Sequence, residues 1–99
     1  MVVRSVVIEN SAKLNLLKAY LFIRKRSYQN AEKVREKILE SIAQLALNPE
    51  HHSPDKYCDE NDGSFRAFEV YKYRVTYYFD KTTIIVLRIK HTKMNPEKY

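Results

Sequence analysis

Residues 73–91 read YRVTYYFDKTTIIVLRIKH, and this stretch decides the fold. Two runs rich in Val, Ile, Thr and Tyr, 73–80 and 83–91, are parted by polar residues around Asp80–Thr83. β-branched and aromatic side chains suit a pleated surface, and the polar break suits a hairpin. Alternation places Tyr73, Val75, Tyr77 and Phe79 on one face of the first run, with Arg74, Thr76, Tyr78 and Asp80 on the other. In the second run Ile85, Leu87 and Ile89 share a face with Thr83 and His91. Ile84, Val86, Arg88 and Lys90 lie opposite. Matching the two apolar faces requires a three-residue loop, 80–82 or 81–83, because a two-residue turn pairs odd with even positions. Arg74 then stands across from Arg88 or from Lys90. Two cations so opposed destabilise a sheet, unless an anionic ligand or a local carboxylate sits between them.

Working outward, residues 64–70 form a further strand, paired with 73–80 through a tight Tyr71-Lys72 turn. That register sets Phe68 against Val75 and Glu69 against Arg74. Glu69 is therefore the local carboxylate, and a surface Arg–Glu pair contributes little. Arg88, Lys90 and Lys93 outnumber it, which favours a basic patch. Residues 50–63 lack periodicity and end in Asp62-Gly63, the pattern of a polar loop. A helix is expected from Ser27 to about Leu47, where Ala31, Val34, Ile38, Ile42 and Leu45 recur every three or four residues. Asn48-Pro49 stops it, since proline disfavours helical geometry at the residue before it. An earlier helix runs from an N-cap at Ser11 to about Arg26, with Leu14, Leu17 and Leu21 as its apolar stripe and Leu16, Tyr20 and Ile23 beside it. Val2–Glu9 reads as the first strand. The order β-α-α-β-β-β implies one α+β domain over 1–99, an antiparallel helical hairpin packed on a mostly antiparallel twisted sheet.

The chain has 99 residues, 44% hydrophobic and 30% charged, with a net charge of +6. Residues 50–63 hold five of the twelve acidic residues and one of the eighteen basic ones, so the remainder carries about +10. A field of that sign favours nucleic acid, the ribosome or an acidic protein. Cys58 is the only cysteine. With no internal disulfide, no secretory leader pattern and no apolar run near the length of a membrane span, a cytoplasmic protein is expected. His51-His52, Asp55 and Cys58 lack zinc-ligand spacing, so neither a metal nor a cofactor is expected.

Tyr73-Arg74-Val75-Thr76-Tyr77, then Asp80, then Ile84-Ile85-Val86-Leu87, then His91, resembles the C-terminal half of RelE/ParE toxins. The helix around Ala31, Ile38 and Leu45, with its Asn48-Pro49 stop, is similar to their second helix. The resemblance spans nearly the whole chain and is most specific over 65–91. It implies a toxin of a type II toxin–antitoxin system, neutralised by a cognate antitoxin: a short acidic protein whose amphipathic segment folds over apolar grooves beside the helical hairpin. ParE-like members inhibit DNA gyrase by binding. RelE-like members cleave messenger RNA in the ribosome without a metal.

The nuclease route needs cations on the scissile phosphate and a proton-transfer group beside it. By resemblance Arg74 would hold phosphate, with Lys93, His91 or Tyr99 completing the site. Here His91-Thr92-Lys93 lacks the arginine that normally follows the last strand, and Lys93 has no guanidinium fork. Tyr99 falls about two residues later than the usual spacing. These departures favour the binding inhibitor over the nuclease, with a partner-binding module lacking toxicity as a third reading. For anion or target binding the candidates are Arg66, Arg74, Arg88 and Lys90. A hetero-oligomer with antitoxin is expected, and no membrane partner.

Overall fold

The computed structural model describes residues 3–93. Four strands and two helices follow the expected order: β1 (Ser5–Ile8), α1 (Asn10–Arg24), α2 (Tyr28–Gln44), β2 (Phe65–Val70), β3 (Tyr73–Phe79) and β4 (Thr83–His91). One 3-10 turn, Pro49–His51, follows α2. The sheet order is β1-β4-β3-β2, with β1 parallel to β4 and the other pairs antiparallel. Both helices cover one face. The core joins Ala12 and Ala19 of α1 and Ile38 and Ile42 of α2 to Val75, Tyr77, Ile84, Val86 and Ile89 of the sheet. Val2, at the start of the expected first strand, lies outside the described residues.

The β2–β3 hairpin has the expected register, with Phe68 against Val75 and Glu69 against Arg74. The β3–β4 hairpin solves its matching problem differently from the sequence reading. Asp80 closes a two-residue turn: its N–H donates to Thr83 O at 3.0 Å, and its carboxylate accepts from the N–H of Thr82 and of Thr83. Those bonds hold the Asp80 carboxyl below its ordinary range. The odd–even mismatch of such a turn is repaired by a bulge. Tyr77 pairs with Val86 and Thr76 with Arg88, leaving Leu87 as the extra residue. One extra residue flips the facing of everything before it. Ile84 and Val86 therefore point into the core, not Ile85 and Leu87, while Ile89 beyond the bulge is inward as expected.

The bulge also sets the attitude of α1. Its distorted backbone is satisfied by α1 side chains: Ser11 Oγ donates to Leu87 O at 3.1 Å, and Asn15 Oδ1 accepts from Ile89 N at 3.1 Å. Ser11 is thus not the N-cap. The helix begins at Asn10, after Glu9, with no side-chain cap. The face carrying Asn15 must also carry Ala12, Leu16, Ala19 and Ile23, spaced at helical intervals. Small Ala12 and Ala19 let the helix approach β4 closely. The expected stripe of Leu14, Leu17 and Leu21 is turned outward, each residue being about half exposed. Across the hairpin, Tyr20 Oη donates to Glu32, which also accepts from Arg35 at 2.7 Å.

Ser27 caps α2: its Oγ accepts from Asn30 N at 3.1 Å. Its end comes three residues early. Leu45, Ala46 and Leu47 donate to carbonyls three residues back, a tightening common at helix ends.

Candidate functional site

The register places Arg74 directly across from Lys90, one of the two expected arrangements. The outer face is not bare there. After the 3-10 turn the chain folds back along the free edge of β2. Asp55 N donates to Phe65 O at 2.8 Å, Ala67 N donates to Ser53 O at 3.3 Å, and Pro54 bridges Arg66. Proline on an outer edge blunts further strand addition. The detour brings Asp55 over β3, where its Oδ1 accepts from an Arg74 guanidinium nitrogen at 2.5 Å and from Tyr57 N at 3.0 Å. The Arg74 guanidinium lies 4.8 Å from the centre of the Tyr57 ring. The Asp55 side chain is 1% exposed and that of Arg74 19%. Asp55 Oδ2 is buried with no hydrogen-bond partner among the described residues.

The rest of this loop is tied down by its own polar groups. Asn61 Nδ2 donates to the carbonyls of Asp55 and Phe65, while its Oδ1 accepts from Gly63 N and Phe65 N. Gly63 has φ 98°, which glycine adopts without a Cβ clash. Cys58 sits among Asp55, Asp59 and Asp62. Partial burial, then these carboxylates, push its thiol up, away from the reactive thiolate.

The other candidates divide. Arg66 donates to the carbonyl oxygens of Gly63, His52 and Glu50 and lies 5.6 Å from the Phe79 ring centre, so its guanidinium staples the loop. Arg88 is half-buried opposite Thr76. Lys90 and Lys93 are exposed. His91 pairs with Tyr73 in the ladder, and its ring meets the Tyr73 ring edge-on at 5.2 Å. Its Nδ1 accepts from Lys93 N at 3.1 Å. Tyr73 belongs to the helix-side core. Alternation therefore sends His91 and Arg74 to opposite faces of the sheet. Tyr99 lies outside the described residues. Sequence reasoning missed Asp55 as the partner of Arg74. The only local signal was an Asp two residues before a Tyr, inside a loop with no periodicity.

A second feature lies on the helices. Between α1, the middle of α2 and β1 runs a groove of about 350 Å³, lined by Ile8, Leu16, Leu17, Tyr20, Leu21 and Leu39. Lys13, Arg24 and Arg35 rim it. Among the described residues no helix is long and apolar enough to cross a membrane.

The helical hairpin lies on one face of the four-stranded sheet, with the basic-rimmed apolar groove beside it. The family model for the ParE toxin of the parDE type II toxin–antitoxin system matches residues 6–96, and the chain belongs to that family. Among solved structures it is similar to a chain of the chromosomal ParDE system from P. aeruginosa, at 17% identity and TM-score 0.72, covering 92% of this chain and 98% of that one. It is also similar to a chain of the RelBE2 toxin–antitoxin complex from Mycobacterium tuberculosis, at 20% identity and TM-score 0.65, covering 92% and 93%. A search of curated protein sequences found no match.

Proposed function

We propose that this ParE-type toxin acts by binding, with DNA gyrase as its target, rather than by cutting RNA. The observation that carries this reading is the separation of the nuclease candidates. The Arg74 guanidinium is engaged by Asp55 and Tyr57 on the outer face. The imidazole that would move a proton packs on Tyr73 at the helix face. A phosphate held at Arg74 would have to displace a buried carboxylate, and it would then lie across the sheet from His91. General acid–base catalysis requires the proton-transfer group within hydrogen-bond reach of the reacting oxygen.

The partner that restrains it is an antitoxin whose acidic amphipathic helix fills the α1–α2 groove. Leu17 and Leu21 offer apolar contact, while Lys13, Arg24 and Arg35 offer charge to acidic flanks.

The test is inducible expression in bacteria, alone and with the adjacent reading frame, followed by a gyrase supercoiling assay with purified toxin. The expected result is filamentation and a DNA-damage response, relieved by the neighbour, with inhibited supercoiling in vitro. Rapid arrest of translation with cleaved transcripts would establish the nuclease instead. Soluble expression with no toxicity would leave only a partner-binding module.

A further inference from the structure

One cation of the helical groove is held in place before any partner arrives. Tyr20 Oη donates to one oxygen of Glu32, and the other Glu32 oxygen accepts from Arg35 Nη2 at 2.7 Å. The Arg35 guanidinium also lies over the Tyr20 ring, 4.5 Å from its centre. Ring stacking and an ion pair together fix the plane of a group that otherwise rotates freely. Both Glu32 oxygens are thereby engaged from within the hairpin. Arg35 spends one nitrogen on Glu32; its Nε and Nη1 have no hydrogen-bond partner among the described residues. The Arg35 side chain is 40% exposed and lines the groove. Every charged residue of that lining is basic: Lys13, Arg24 and Arg35. Residues 10–31, which include all of α1, contain no Asp or Glu. Lys13 and Arg24 are exposed and make no ion pair among the described residues.

We propose that Arg35 is the residue by which the groove selects its partner: its fixed guanidinium takes one carboxylate of an incoming helix in a two-pronged pair, while Leu17 and Leu21 take that helix's apolar side chains. The proposal rests on the reading of the groove as the antitoxin site. It adds the residue that tells a cognate helix from any other acidic amphipathic one. A planar fork held in advance loses little freedom on binding and demands a carboxylate at one place. Free lysine and arginine side chains such as Lys13 and Arg24 accept charge over a range of positions. A helix that sets an apolar side chain against Arg35 strips water from its open donors without replacing it, and that cost discriminates against the wrong partner. The groove follows α1, and Lys13 stands about three turns from Arg24, roughly 16 Å. The partner helix should therefore carry a second acidic side chain about three turns from the one that meets Arg35.

The experiment is titration calorimetry of the purified full chain with the protein encoded by the adjacent reading frame, over a salt series, with a melting curve for each variant. Arg35→Ala is expected to lose about thirtyfold or more in affinity, as a hot spot does. Arg35→Lys keeps the charge without the fork and is expected to lose nearly as much. Lys13→Ala and Arg24→Ala are each expected to lose less than about fivefold, and mostly at low salt. The half-exposed pair with Glu32 contributes little to folding, so the Arg35 variants should melt within about 4 °C of wild type. Each Asp and Glu of the partner is then changed to Ala and titrated against wild type and Arg35→Ala. One of them should cost wild type about thirtyfold and Arg35→Ala less than about threefold, the mark of a direct pair. Wild-type affinity in Arg35→Lys, a loss in Arg35→Ala no larger than in Lys13→Ala, or losses spread evenly over the partner's carboxylates would each overturn the proposal. Loss of binding in Leu17→Glu but not in Arg35→Ala would keep the groove as the antitoxin site and remove only the selection by Arg35. No binding by wild type, or full binding by Leu17→Glu, would overturn the groove reading and this proposal with it.

Discussion

The Arg74 guanidinium sits 2.5 Å from the carboxylate of Asp55, nineteen residues earlier in the chain, with both groups largely withdrawn from water. Taking two charges out of solvent is costly, and their attraction offsets that cost only while both are present. The pair therefore works as a clasp between the loop and β3. It contributes position more than net stability, and it removes Arg74 from the set of free cations.

Breaking the clasp from one side should leave a buried charge uncompensated. Asp55→Ala and Arg74→Ala are each expected to lower unfolding free energy by about 3–5 kcal/mol. The double variant Asp55→Leu/Arg74→Met is expected to lose clearly less than the sum of the two single changes. Urea unfolding of all four proteins measures this. Additive losses would mean that the two groups do not interact. Any loss of toxicity in Arg74→Ala should then track lost folding.

The bulge at Leu87 depends on α1 for a hydrogen-bond partner. Asn15→Ala removes the acceptor of Ile89 N–H, and an unsatisfied amide at a half-buried site costs about 1–3 kcal/mol. Leu14→Ala, one position away on the solvent side, should fall within about 0.5 kcal/mol of wild type. Equal effects at the two positions would show that the bond carries no weight.

Acid should weaken this protein through His52. Its ring stacks on Phe68 at 4.4 Å, and burial, then the neighbouring His51, hold its pKa below the ordinary value of 6.5. The folded protein therefore binds this proton less readily than the unfolded chain does. Stability from this group is present above pH 6.5 and declines as pH falls through that value toward the lowered folded pKa. Thermal melts across this window should show the slope in wild type and a reduced slope in His52→Gln. Identical slopes would locate the acid sensitivity elsewhere.

The groove beside the hairpin should tolerate change in the free toxin but not in its complex. Leu17→Glu and Leu21→Glu alter residues that are 52% and 45% exposed. Their melting points should stay near wild type. Antitoxin affinity, measured by titration calorimetry, is expected to fall by about 2 kcal/mol or more, the range of an interface hot spot. Retained affinity would place the antitoxin on another surface.

Much of the architecture was written locally. The alternation of Tyr73, Val75 and Tyr77, the periodic apolar residues of α2 and the Asn48-Pro49 stop each act over a few residues, so the sequence alone determined the element order and the β2–β3 register. Three matters were decided only by tertiary packing. A bulge at Leu87 reset the facing of Ile84 and Val86, because strand pairing must reconcile a tight Asp80 turn with a buried face. Asn15 and two alanines, rather than three leucines, faced the sheet, because close approach and a hydrogen bond to β4 outweighed hydrophobicity. Asp55 met Arg74 across nineteen residues because an edge-strand detour carried it there. Charge pairing at that distance leaves no periodic trace in a chain, so the state of the site's principal arginine could be known only from the folded molecule.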